Sequence, residues 1–189
     1  TFYSPAHASN PRFITIYVDA LAGSFSLTNE GFRGMGVKQG KRYDLSFSAR
    51  IAPGSDLIMK VDLLTEKGDV LGGAEVTGFS TSWKKHQASF TSSDTELKAT
   101  LRLIITGKGA MDLDMVSLFP ADTWKGRQNG LRADIVQMIA DLKPGFLRFP
   151  GGCIVEGRDL TTRYQWKTTV GPVDARKMIV NRWNTEMRN

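Results

Sequence analysis

YDLSFSARI, residues 43–51, alternates without a slip: Tyr43, Leu45, Phe47, Ala49 and Ile51 take every second position, with Asp44, Ser46, Ser48 and Arg50 between them. Successive side chains of an extended chain point to opposite faces, so the first set lines one face of a strand and the second set the other. Pro53-Gly54 then signals a turn, after which Leu57, Met59, Val61 and Leu63 repeat the pattern. Outward from this pair, residues 13–18, 25–27, 70–76, 83–90, 101–105 and 111–118 read the same way, separated by glycine-bearing turns and with no helical period among them. Many short alternating strands predict a jelly-roll antiparallel β-sandwich over residues 12–119, with Leu45, Phe47, Val61, Leu63, Leu103 and Ile105 inside. The fold class is mainly β, and the sandwich domain is assigned residues 1–120.

After Pro120 the pattern changes. Residues 122–130 form a polar, glycine-bearing joint. LRADIVQMIADL (131–142) then spaces Leu131, Ile135, Met138, Ile139 and Leu142 as the apolar stripe of a helix, with Asp134 and Asp141 off that stripe. Lys143-Pro144-Gly145 stops the helix, and FLRF (146–149), apolar except for Arg148, reads as a strand buried on both sides. Helix, tight turn and buried strand make one unit of an α/β fold, and a single unit cannot cover such a strand. A complete (β/α)8 barrel takes about 250 residues. Residues 121–189 are therefore expected to be a partial, truncated barrel segment, and the chain a piece of a larger protein.

Composition narrows the partners. The chain has 189 residues, 25 Lys and Arg against 19 Asp and Glu, and a net charge of +6. The excess lies mainly in residues 121–189, with 12 basic against 7 acidic side chains, but these are scattered singly and form no basic run. That distribution predicts no nucleic-acid partner. No apolar run reaches the roughly 18 to 20 residues of a membrane span, which predicts no membrane partner. Thr1 is not followed by a leader pattern, so any export signal is expected to be removed or to lie outside this sequence. The lone Cys153 excludes an internal disulfide framework.

The run DMVSLFPADTWKGRQNGLRADIVQMIADLKPGFLRFPGGCIVEG (114–157) resembles glycoside hydrolase family 51, the α-L-arabinofuranosidases. RYQWKTTVGP (163–172) and NRWN (181–184) fit the same pattern. GFRGMGVKQGKRYDLSFSAR (31–50) and STSWKKHQASF (80–90) resemble the carbohydrate-binding-module-like sandwich of families 4 and 9, which some members carry between the first two strands of the catalytic barrel. The resemblance implies a retaining hydrolase that removes terminal α-L-arabinofuranosyl units from arabinoxylan, arabinan or arabino-oligosaccharides. It implies arabinose-containing plant polysaccharide as partner, together with the missing remainder of the parent chain. A secreted or periplasmic location follows from the family alone. Retention needs two carboxyl groups about 5 to 5.5 Å apart. The family takes its acid/base from an Asn-Glu pair on a later strand and its nucleophile from a strand later still. Residues 121–189 contain no Asn-Glu step, and Asn29-Glu30 reads as a turn inside the sandwich. No catalytic residue is therefore assigned in this chain.

Pro150-Gly151-Gly152-Cys153 stands where a barrel strand delivers residues to the active-site face. On the residues alone the reading favoured is a glycine-rich turn beside a buried, inert thiol. The resemblance places Gly151, Gly152 and Cys153 in the arabinose pocket, with Cys153 a hydroxyl contact and not a nucleophile. A thiolate mechanism wants a paired histidine, and His7 and His86 both lie outside the tail. The same scarcity leaves no zinc-type ligand set. Trp166 is a substrate-stacking candidate, and Trp183 has the same chemistry; core packing explains either as well. Glu156, Asp159 and Glu186 read as surface acids balancing Arg158, Arg163 and Arg188. In related sandwiches an acid at the position of Asp114 helps hold a structural calcium ion, and no other cofactor is required. The alternative to the hydrolase reading is a stand-alone sandwich that binds carbohydrate without catalysis, or that only braces a neighbour.

Overall fold

The structure, a computed structural model, describes residues 5–19, 23–149 and 151–176. They fall into two compact units, Phe13–Met138 and the flanking residues before and after it. The first unit is the antiparallel sandwich. Its strands are β1 (Ile14–Val18), β2 (Ser24–Asn29), β3 (Met35–Val37), β4 (Arg42–Ile51), β5 (Asp56–Leu64), β6 (Val70–Val76), β7 (Lys84–Thr91) and β8 (Glu96–Pro120).

β8 belongs to both sheets. Residues 100–108 pair with β5, and residues 96–106 pair with β2 and β3 on the opposite side. Residues 111–120 pair with β4, and residues 109–113 with β1. β6 extends the first sheet beyond β5, and β7 extends the second beyond β4. The sequence predicts two strands here, 101–105 and 111–118; the structure has one of 25 residues. Gly107 and Gly109 explain the difference. Their φ values of 109° and 132° bend the strand without ending it, and a Cβ on Gly107 would meet the carbonyl oxygen of Asp56. The intervening glycines look like a turn and act as a corner.

Alternation fills the space between the sheets as expected. Leu45, Phe47, Val61, Leu63, Leu103 and Ile105 are all buried, joined by Met59, Met111 and Leu113. Each such side chain contributes about 1.5 to 3 kcal/mol by leaving water. Asp62 breaks the pattern. It lies on the outer face of the first sheet, opposite the core set, yet is almost fully buried beneath Lys60, whose Nζ is 3.2 Å away, and Arg102, whose Nη2 is 3.4 Å away. Asn29 ends β2 as a turn residue, its Oδ1 accepting the Gly31 N–H at 2.8 Å.

His86 points inward from β7 and stacks on Phe47, with ring centroids 5.4 Å apart, and lies 4.8 Å from Phe79. Its Nε2 is buried with no hydrogen-bond partner among the described residues. Burial, aided by Lys84, lowers its pKa below 6.5. The unfolded chain therefore binds the proton more readily than the native one. Stability from the neutral ring is complete above the unfolded value and is lost as pH falls through the folded one. Urea midpoints are expected to drop from about pH 7.5 to about pH 5.5. A His86→Phe variant should flatten that slope, and an equal slope in both proteins would show that other groups carry it.

Beyond the sandwich, α1 (Ala133–Asp141) forms inside the predicted helical span. Asp134 fixes its start: the carboxylate accepts the Ile135 N–H at 2.9 Å and pairs with Arg132 at 2.6 Å, which holds its pKa near 2. The apolar stripe of Leu131, Ile135, Met138, Ile139 and Leu142 is exposed. The strand predicted at 146–149 has no ladder partner, and Phe146, Leu147 and Phe149 are more than 80% exposed. A strand exists by pairing with neighbours, and the described residues supply none here. No helix among the described residues is long and apolar enough to cross a membrane.

Candidate functional site

The tail builds one concave feature from a fold-back. A short helical turn, α2 (Cys153–Glu156), follows Gly152 and stops at Gly157. Gly157 has a φ of 67°, and a Cβ there would lie 2.6 Å from the Arg163 nitrogen and from the Thr162 carbonyl carbon. The absence of a side chain lets residues 162–163 cross against it. Asp159 ties the intervening loop, its Oδ1 accepting the N–H of Thr161 and of Thr162, each at 2.9 Å, and the Thr161 hydroxyl at 2.7 Å. These donors lower the Asp159 pKa, led by the Thr161 hydroxyl. The chain then returns beside α2, where the Tyr164 N–H donates to the Val155 carbonyl at 3.3 Å. A 3-10 turn, Trp166–Thr169, follows, closed by the Thr168 and Thr169 hydroxyls on the carbonyls of Gln165 and Trp166.

Between these strokes lies a cleft of about 410 Å3, lined by Val155, Glu156, Arg163, Tyr164, Gln165, Trp166 and Lys167. Trp166 is 62% exposed, so its indole face is open to a ligand ring. Glu156 is the one acid among the described lining residues, which also include the cations Arg163 and Lys167. Gly151 and Gly152 are not among the lining residues. Gly151 is exposed, with Arg148 passing over it: a Cβ there would stand 3.5 Å from Arg148 Nε. The side chain of Cys153 lies outside the described residues, as do Pro150, Trp183, Glu186 and the NRWN run. Sequence reasoning singled out Glu156 and Trp166 but missed Arg163, Tyr164, Gln165 and Lys167 as a lining. The signal was the aromatic and polar run RYQWK immediately after the Asp159 loop.

Asp114 sits in the second half of β8, beside a bulge where the register with β4 shifts and Met115 adopts a φ of 53°. Its Oδ1 accepts the Met115 N–H at 2.7 Å. No group of three or more His, Cys, Asp or Glu side chains able to hold a metal ion occurs among the described residues. A calcium shell of six to eight oxygens built on Asp114 would therefore draw most of its ligands from carbonyls or amides.

The family model described as the alpha-L-arabinofuranosidase 1 domain matches residues 138–189. An extracellular exo-alpha-L-arabinofuranosidase of Streptomyces chartreusis is 42% identical over 88% of this chain and 21% of its own length. Alpha-L-arabinofuranosidase 1 of Arabidopsis thaliana is 38% identical over 82% of the chain and 23% of its own. The arabinose-bound MgGH51 α-L-arabinofuranosidase structure superposes with a TM-score of 0.82 at 32% identity, covering 96% of this chain and 30% of that one. The chain belongs to the family 51 arabinofuranosidases. It corresponds to less than a third of the length of these relatives. The relatives match most of the chain, whereas the family model covers residues 138–189 of the tail.

Proposed function

We propose that this chain is part of a retaining α-L-arabinofuranosidase that releases terminal arabinofuranosyl units from arabinoxylan, arabinan or their oligosaccharides. The observation that carries the reading is the match to family members across 88% of the chain, extending through sandwich and tail alike. Within that reading the sandwich is an accessory module, and residues 121–189 are the early part of the catalytic barrel. The exposed stripe of α1 and the exposed residues 146–149 support it, because both are apolar surfaces of the kind a barrel covers with neighbouring units. Gly151, Gly152, Cys153 and Trp166 are proposed as contributors to the sugar pocket. Secretion or periplasmic export is part of the same proposal, in keeping with the extracellular relative from Streptomyces. A structural calcium ion at Asp114 belongs to it only if carbonyl oxygens complete the shell, and a melting temperature unmoved by EDTA would remove it.

The test is hydrolysis of an aryl α-L-arabinofuranoside by the complete polypeptide, with the anomer of the released arabinose followed by NMR. Retention is expected. Inversion, or no hydrolysis by the complete polypeptide, would sink the assignment.

A further inference from the structure

The joint at residues 121–132 is more than a linker. Thr123 is buried, its hydroxyl donates to the Arg127 carbonyl, and it forms a bridge with Arg132. The Trp124 N–H donates to Leu131 and the Gly130 N–H to Arg127, each at 2.9 Å. The loop is also tied to the start of β4, by the Ala121 N–H on the Arg42 carbonyl at 2.9 Å and by Lys41 on Asp122 at 2.6 Å. A closed loop held at both ends presents Gln128 and Asn129 beside the outer face of the second sheet.

That face is concave by side-chain length. Ser46 and Ser89 make a low floor on β4 and β7, with Gln87 opposite Ser46 and Asp44 opposite Ser89 in the ladder. Gln87, Arg42, Gln128 and Asn129 stand around it, enclosing a groove of about 300 Å3. Arg42 and Asp44 pair with each other at 3.1 Å, so the groove carries no net charge. What it offers is a set of amide and hydroxyl groups, each able both to donate and to accept. Phe119, opposite Asp44 in the ladder, adds a half-buried ring on the same face.

We propose that this groove binds a neutral pentose-containing oligosaccharide, as a site separate from the tail cleft. The choice of pentose rests on the arabinofuranosidase reading; the choice of a neutral polyol rests on the groove. Mixed donors and acceptors suit the hydroxyls of a sugar, whereas an anion would need an unpaired cation and an apolar ligand an apolar lining. The pre-tied loop lowers the ordering cost of binding.

The test is NMR titration of the 189-residue chain with arabino-oligosaccharides from arabinan and, in a second arm, xylo-oligosaccharides from xylan. The side-chain amides of Gln87, Gln128 and Asn129 are expected to shift in at least one arm, and which arm separates recognition of arabinofuranosyl units from recognition of xylosyl units. Gln87→Ala combined with Gln128→Ala should weaken binding about tenfold or more, with backbone spectra showing an intact fold, since both side chains are exposed. Shifts confined to residues 163–167, or no shift at the three amides in either arm, would overturn the groove. Preference for a sulfated oligosaccharide over its neutral parent would overturn it too. Any of these results leaves the hydrolase reading standing, because that reading is judged by aryl arabinofuranoside hydrolysis by the complete polypeptide.

Discussion

Replacing Gly107 by valine is expected to destabilise the sandwich by about 2 to 6 kcal/mol, a large fraction of the roughly 5 to 15 kcal/mol that holds a domain together. Two costs combine. The residue has a φ of 109°, where an L side chain is held at about 1 to 3 kcal/mol of strain. The added Cβ would also overlap the Asp56 carbonyl oxygen on the neighbouring strand, and overpacking of that kind costs about another 1 to 3 kcal/mol. The overlapped atom is backbone, so relief requires β5 to move, and β5 carries Leu57, Met59, Val61 and Leu63 into the core. Gly54→Ala is the control. That glycine also has positive φ, at 80°, but a Cβ there meets nothing within 4 Å, so only the conformational cost remains. Urea midpoints separate the two: a large drop for Gly107→Val and a small one for Gly54→Ala. Equal midpoints for both would mean that β8 does not turn its corner at Gly107.

The same corner shows what the sequence conceals. Strands such as β4 and β5 are legible because one face of each meets the core, and burial on one face imposes a period of two. β8 is not legible as one element, since glycines inside a strand and glycines in a turn are the same letters. β3 escapes for a different reason: Met35-Gly36-Val37 is too short to show a period. Asp62 escapes because its partner Arg102 stands opposite it only across the β5–β8 ladder of the folded sheet. In the tail, α1 is readable from its stripe, whereas the predicted strand at 146–149 depends on partners that no local pattern supplies. Of the candidate site, the sequence exposes Trp166 and Glu156 as chemistry-bearing residues. It does not expose the cleft, which exists because Gly157 and the Asp159 loop turn the chain back on itself. The polar groove is hidden likewise, because its floor comes from residues 44–46 and 87–89 and its far wall from 128–129.

The largest effect is expected in catalysis. Assayed alone on an aryl α-L-arabinofuranoside, the 189-residue chain should turn over at least about 10^4-fold more slowly than the complete polypeptide, at the level of the blank. Double displacement at an anomeric carbon needs a carboxylate to form the glycosyl-enzyme bond and a second group to protonate the leaving oxygen, about 5 to 5.5 Å away. The cleft offers Glu156 as the one acid among its described lining residues. Asp159 is committed to the Thr161 and Thr162 donors, which hold it ionised and so unsuited to give a proton. Residues 121–189 also lack the Asn-Glu step that the resemblance to family 51 implies for the acid/base. An indole face and amide groups can bind a sugar in such a cleft, but binding that is equal for substrate and transition state leaves the chemical barrier where it was. Glu156→Gln provides the check. If the isolated chain shows turnover that this substitution abolishes, Glu156 is a catalytic carboxylate and the division of labour proposed for the tail is wrong. If the chain is silent while the complete polypeptide is active, at least one of the two carboxylates lies beyond these residues.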